Sequence, residues 1–283
     1  MRDLSRDLGH LSLNGATVRA RWDLGQIIEG CARHGIPGIA PWRDQLQALG
    51  IAEGARQIRD AGLSVSGYCR GGMFPAADEA GLRAAIDDNL RAIDEAAAIG
   101  AQCLVILGGG MPPSSKDLPL ARRQARDGLR PILPHARAAG VPLAIEPLHP
   151  MYAADRCCIS TLGQANDLCE ELDPRGEKGL GVAVDVYHLF WDPHLESEIE
   201  RAGTAGRILA FHVCDWLVPT RDMLLDRGIM GDGVIDIPRI RGLVEATGYD
   251  GPIEVEIFSR DDWWKRDPDE VLRVVAERYR TVV

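Results

Sequence analysis

The stretch from Gly179 to Asp192, GLGVAVDVYHLFWD, reads as a buried strand that stops on a carboxylate. Six of its first seven residues are small or apolar, and then Asp185, His188 and Asp192 follow in quick succession. A strand this apolar on both alternating faces is one covered on both sides, as in a parallel sheet flanked by helices. The pattern recurs along the chain. Apolar runs at 8–14, 35–42, 63–69, 103–109, 141–147, 208–214 and 252–258 join 179–185 to give eight predicted strands. Between them, 24–34, 44–61, 79–100, 120–139, 161–172, 194–204, 236–247 and 268–281 repeat apolar residues at i, i+3 and i+4, the signature of amphipathic helices. Gly35, Gly62, Gly100, Gly140 and Gly248 close helical runs just before strands, as helix-terminating glycines do. Eight βα units in 283 residues, with no linker or low-complexity tract, predict one closed (β/α)8 barrel domain over 1–283. A doubly wound open sheet is the alternative, but the first turn, NGATVRARWD, lacks the glycine-rich phosphate loop such a fold offers.

Composition narrows the function classes. The net charge is −10 and no Lys/Arg tract occurs, which argues against nucleic-acid or anionic-membrane partners. The start, MRDLSRDLGH, has no apolar signal core, and no run of 18 apolar residues exists, so a soluble cytoplasmic protein is expected. Seven cysteines without a C-x-x-C read as small buried fillers, neither a disulfide framework nor a cysteine zinc site.

In a barrel of this kind, chemistry sits at the C-terminal ends of the strands. Strand five ends on Glu146, strand six on Asp185, strand seven carries His212 near its end, and strand eight carries Glu254 and Glu256. Strand alternation puts Ala210 with His212 and Ala183 with Asp185 on shared faces, and Glu254 and Glu256 on one face, with Glu256 nearer the rim. Four consecutive strands thus deliver carboxylate, carboxylate, imidazole and carboxylate to one rim. Crowding three carboxylates out of water is costly unless something neutralises them, and a divalent cation does so. Glu146, Asp185, His212 and Glu256 form a hard, mostly oxygen ligand set that suits one Mn²⁺ above all, with Mg²⁺, Co²⁺ or Zn²⁺ as other occupants. Glu254 either faces inward one layer down, paired with an arginine, or points elsewhere if the strand bulges.

The segments AIEP (144–147), VDVYH (184–188), FHVCD (211–215), GDGVIDI (231–237) and GYDGPIEVEIF (248–258) resemble the xylose-isomerase-like TIM-barrel superfamily, in its sugar isomerase/epimerase branch. That branch includes tagatose/psicose 3-epimerases and inosose-processing proteins. The resemblance covers the second half of the chain; the first half matches only as βα units. It implies metal ligation by Glu146, Asp185, His212 and Glu256, with Glu146 and Glu256 also an acid/base pair on opposite faces of a bound sugar. It implies His188 as a substrate-binding residue beside the metal, and dimers or tetramers as assemblies. A metal that chelates a ketose carbonyl and its neighbouring hydroxyl acts as a Lewis acid while the adjacent C–H proton moves through an enediolate.

Other residues qualify that expectation. His149, three residues past Glu146, is either a loop histidine bonded to backbone or a second base. A second base would suit a lyase that expels water or an aglycone from a keto-sugar or 3-keto-glycoside. Tyr152 and Arg156 are further candidates to hold hydroxyls or a carboxylate. All six tryptophans fall in or near segments that follow strands, so Trp42, Trp191 and Trp216 are expected to wall a pocket for a carbohydrate substrate. The loop after strand eight, SRDDWWKRDP, has no glycine, and Gly231 and Gly233 flank Asp232, so an unphosphorylated substrate is expected. Arg221 and Arg227, in the long irregular stretch 214–235, are either substrate-binding or solvated loop charges. A superfamily endonuclease and a non-catalytic sugar-binding barrel are the remaining alternatives. The first would need a histidine-rich multinuclear zinc site and a basic groove, which the charge and the single ligand set do not supply.

Overall fold

The computed structural model describes residues 1–112 and 115–283. Its eight barrel strands are Leu11–Asn14, Gly38–Ala40, a third in two segments (Ser64–Val65 and Tyr68–Gly72), Leu104–Leu107, Leu143–Ile145, Leu180–Asp185, Ile208–Val213 and Ile253–Val255. Each pairs in parallel with its neighbours, and the first pairs with the eighth through Leu11, Ser12 and Leu13. The third strand completes the ring. Its first segment pairs with strand two, its second with strand four, and the bridges Trp42↔Cys69 and Val65↔Ala101 tie both segments to both neighbours. The expected (β/α)8 barrel is therefore the observed architecture.

Most strands are a little shorter than their apolar runs, because the outermost residues of the runs feed loops; the third instead runs on to Gly72. The predicted helix 44–61 is two helices, Arg43–Leu49 and Ile51–Asp60, broken at Gly50 with φ +95. The other long helices lie close to their predicted positions, from Leu24–His34 to Pro268–Thr281. Leu24–His34 shows why. Asp23 caps it in a reciprocal box with Gln26, and Gly35 ends it at φ +67, a left-handed conformation that costs glycine little.

Strand alternation separates two apolar layers. Outward residues such as Leu13, Ile39, Ile106, Ile145, Val184 and Phe211 join the helices in the main core. Inward residues Cys69, Cys103, Val105, Ala144, Ala183 and Ala210 form a small separate cluster inside the barrel. Small side chains leave room in the barrel for polar groups, and Ser12, Asn14, Ser66, His212 and Glu254 are buried there. All seven cysteines are free and buried, as fillers should be. No helix among the described residues is long and apolar enough to cross a membrane.

Candidate active site

Sheet register sets the site. Asp185 pairs with His212 across strands six and seven, and His212 pairs with Glu254 across strands seven and eight. Glu146 follows strand five directly, its amide bonded to Ile106 O at 3.0 Å. These adjacencies bring Glu146, Asp185 and His212 together, each offering one ligand atom within 4.8 Å of the others, and all three residues are buried. Glu146 Oε1 lies 2.8 Å from His212 Nδ1.

One atom of this cluster above all fits a cation. Asp185 Oδ1 accepts the Tyr187 amide at 2.7 Å, but Asp185 Oδ2 is buried with no hydrogen-bond partner; His212 Nε2 is likewise without one but faces Glu254. Orphaned buried polar atoms in a native site call for a reason, and an ion is one. The electrostatics agree. Burial pushes the Asp185 carboxyl up to about 6, against the Arg227 charge, with Glu146 adding to the rise. Burial likewise pushes Glu256 up to about 8, again against Arg227 and with Glu146 adding. For His212 burial opposes the charge, but the Glu254 and Glu146 carboxylates outweigh it and hold the ring well above its ordinary value. Each shift favours a proton at the cluster, and a divalent cation held by the same groups would displace it.

Glu256 is not part of the tight group. Its Oε2 accepts Arg227 Nη1 at 3.0 Å, while the residue still faces the same cavity as Glu146. Glu254 does lie inward, one layer down, but its partners are not arginines. Its Oε1 accepts Asn14 Nδ2 at 2.6 Å and its Oε2 accepts Ser66 Oγ at 2.7 Å, with Oε1 3.7 Å from His212 Nε2. Asn14 in turn accepts the Trp42 indole at 2.7 Å.

The stretch 214–235 is more ordered than its sequence suggests. Asp215–Trp216 pairs antiparallel with Arg227–Gly228, and the Arg227 amide bonds Phe258 O at 2.9 Å. Asp215 is fully buried and accepts the amides of Trp216, Gly231, Gly233 and Ile235 at 2.9–3.0 Å, folding the GDGVI segment back onto strand seven. This ribbon carries Arg227 into the site, where its guanidinium lies between the rings of Tyr187 (4.4 Å) and Phe258 (4.9 Å).

The cavity beside the cluster measures about 110 Å³. Its wall includes Glu146, His188, Arg227 and Glu256, together with Trp42 and Tyr152. His188 sits on a short helix, Val186–Leu189, directly after strand six. Burial, with Arg227 adding, holds its imidazole well below the ordinary value, so the ring is neutral. The His149 amide faces Nδ1 at 3.3 Å and Arg227 Nη2 faces Nε2 at 3.1 Å. A neutral ring accepts at only one nitrogen, so the two donors compete and what faces Nε2 sets the tautomer.

Four sequence-predicted residues lie elsewhere. The His149 ring is not in the cavity wall: its Nδ1 accepts the Met151 amide at 3.3 Å, and the ring packs against Trp191 and Trp216. Trp191 donates to His188 O at 2.7 Å, and Trp216 stacks on Tyr187 at 4.7 Å. These indoles build a packing cluster behind His188; of the tryptophans, only Trp42 walls the cavity. Arg221 is a solvated loop charge paired with Asp226. The sequence reading missed Arg70, which lines the cavity immediately past predicted strand three. It stands where a strand end reaches the rim, the position that the ligand candidates share.

A family model described as xylose isomerase-like TIM barrel matches residues 28–278. The chain is 26% identical over 155 residues to inosose isomerase of Halalkalibacterium halodurans, covering 52% of this chain and 50% of that protein. It thus spans about half the length of that relative. It is 26% identical over 221 residues to L-ribulose-5-phosphate 3-epimerase UlaE of Salmonella typhi, covering 77% of this chain and 71% of that one. Among solved structures, protein SMc04130 from Sinorhizobium meliloti 1021 superposes with a TM-score of 0.95 at 57% identity, covering 98% of this chain and 99% of that one.

Proposed function

We propose that this chain, which belongs to the xylose isomerase-like TIM barrel family, is a divalent-metal-dependent isomerase or epimerase of a sugar or keto-sugar. The observation that carries the reading is one buried Glu146–Asp185–His212 cluster beside a cavity that also holds Glu256. Named relatives that isomerise or epimerise sugars support it.

Glu146, Asp185 and His212 would hold the cation, with Glu256 completing the set on turning from Arg227. Mn²⁺ suits this oxygen-rich group best, and Mg²⁺, Co²⁺ or Zn²⁺ would also fit its donors. The bound cation would supply Lewis acidity at the substrate carbonyl. The protein's own groups do the rest. Glu146 and Glu256 each have a carboxylate oxygen within the cavity wall to take and return the C–H proton. Arg227, always charged and fixed between two rings, holds Glu256 and would orient a substrate oxygen. His188, neutral and buried, donates or accepts one hydrogen bond at Nε2. Removal of the proton on one face and return on the other gives an epimer, while return to the neighbouring carbon gives an isomer.

Incubation with a panel of ketoses and keto-glycosides in D₂O with Mn²⁺, read by NMR, tests this. Deuterium enters one carbon with every heavy atom retained in this reading, whereas release of water or an aglycone marks a lyase. Glu146→Gln and Glu256→Gln should each cut deuterium uptake by about 10²–10⁴-fold while the circular dichroism spectrum stays native. Full exchange in either variant overturns the assignment. A lyase with His149 as base draws no support from a ring packed against Trp191 and Trp216 outside the cavity.

A further inference from the structure

Arginines around the mouth of the barrel are mostly neutralised. Arg19 pairs with Asp44, Arg43 with Asp88 and Glu95, Arg221 with Asp226, and Arg227 with Glu256. Arg70 differs. It lies in the wall of the cavity, and among the described residues no acidic side chain forms an ion pair with it. The cation that acts on it most strongly is Arg156, which lines the same cavity. Arg156 has only a long contact of 3.9 Å to its neighbour Asp155, and its guanidinium leans over the Tyr152 ring at 5.9 Å. Burial and the Arg156 charge together hold the Arg70 pKa below its ordinary value. Glu146, in the same wall, acts on Arg70 in the opposite sense but more weakly than Arg156, so two guanidinium groups line one cavity without a close carboxylate partner, and an anion would relieve that.

The geometry extends beyond the small inner cavity. Trp42, Cys69 and Arg70 are shared between that cavity and an outer groove of about 520 Å³. Arg70 therefore stands at the junction of the two. Substrate bonded at Glu146 and His188 would run outward past this point, so its far end meets the guanidinium groups.

We propose that Arg70 and Arg156 form an anion subsite, which selects sugars carrying a terminal phosphate or carboxylate at the end remote from the Glu146–Asp185–His212 cluster. This inference rests on the sugar-proton-transfer reading for the identity of the ligand, but not for the existence of the subsite. Such a subsite needs no backbone amides after strands seven and eight. The cations come instead from strand three and from the loop after strand five, where glycine placement gives no signal.

The test uses the Mn²⁺-loaded protein and three probes: a ketopentose 5-phosphate, the free ketopentose, and a hexulosonate. Binding is measured by calorimetry and turnover by deuterium uptake. The wild type should bind one of the anionic probes about tenfold or more tighter than the free ketopentose. In Arg70→Gln and Arg156→Gln that ratio should fall toward one. Preference for the phosphate names a phosphosugar, and preference for the hexulosonate names a sugar acid. Equal binding of all three by the wild type, or an anion preference that persists in both variants, overturns the subsite. Arg156 is part-exposed, so its variant keeps the test decisive if Arg70→Gln fails to fold. An anion preference lost in the variants, with no deuterium uptake from any probe, upholds the subsite and refutes the proton-transfer reading instead.

Discussion

Asn14→Asp isolates one interaction inside the barrel with almost no change in shape. Asn14 gives its Nδ2 to Glu254 at 2.6 Å, while its Oδ1 accepts the Trp42 indole at 2.7 Å and the Ala16 amide at 2.9 Å. Aspartate keeps both accepting roles but sets a second carboxylate against Glu254, where both residues are buried. One of the two must then take a proton. Holding a carboxyl neutral at pH 7, about three units above its usual range, costs about 4 kcal/mol at 1.36 kcal/mol per unit. For a chain of this length that is about 7 °C in Tm. The sign follows from proton counting. The variant's native state binds more protons than its unfolded state between about pH 4 and 8, so stability falls as pH rises through that window. Near pH 5 the shared proton restores an O–H···O bond and the defect shrinks. Asn14→Ala loses the same donor without adding charge, so its cost, about 1.5–3 kcal/mol for a hydrogen bond to a charged group, should vary little with pH. Thermal unfolding of both variants and the wild type at pH 5 and pH 8 decides it. If Asn14→Asp matches the wild type at pH 8, or shows the pH-independent loss of Asn14→Ala, the Glu254 carboxylate is not held by the Asn14 amide and the account of the inner layer fails.

Other outcomes follow from the same site. Chelator-treated protein should lose stability as pH rises from about 4 to 8, because Asp185 and Glu256 sit at about 6 and about 8 in the fold, above their unfolded values. Calorimetric Tm against pH reads this, and a flat profile counts against it. Mn²⁺ at a hundredfold excess over its dissociation constant should add about 2.7 kcal/mol, or about 5 °C, and Asp185→Asn should remove most of that shift in a thermal melt. Trp216→Ala should cost stability through lost packing on Tyr187, His149 and Phe190, somewhat less than the ~3–5 kcal/mol of a fully buried tryptophan. It should leave KM near the wild-type value, and a large rise in KM would return Trp216 to the substrate wall.

Particular residues show where sequence reading succeeded and where it stopped. Asp185 and His212 were legible because strand alternation has a period of two and a barrel presents its strand ends on one rim. Glu146 was legible for the same reason, since the residue after strand five inherits the strand's direction. Of the expected tryptophans Trp42 lines the cavity while Trp191 and Trp216 do not, because a segment following a strand can turn toward the cavity or away from it. Trp216 turned toward Tyr187, and its position in the chain carried no sign of that. Glu254 was open between an inward and another direction; it faces inward, and its partners Asn14 and Ser66 come from strand one and from between the two segments of strand three, distant in sequence.

The sequence by itself determined the eight βα units, the closed barrel and the inward faces of its strands, because those follow from local periodicity and helix-ending glycines. It also placed a carboxylate–carboxylate–imidazole group at one rim. Only the tertiary structure decided which charges meet. Arg227 enters the site because the ribbon of Asp215–Trp216 with Arg227–Gly228 folds back and Asp215 gathers four amides. Arg70 lines the cavity with Arg156, and no acidic side chain among the described residues comes within ion-pair distance of it, because the carboxylates of the same wall are held elsewhere, Glu146 at His212 and Glu256 at Arg227. Pairing of charges depends on distances between side chains far apart in the chain, and no periodicity within a segment encodes those distances.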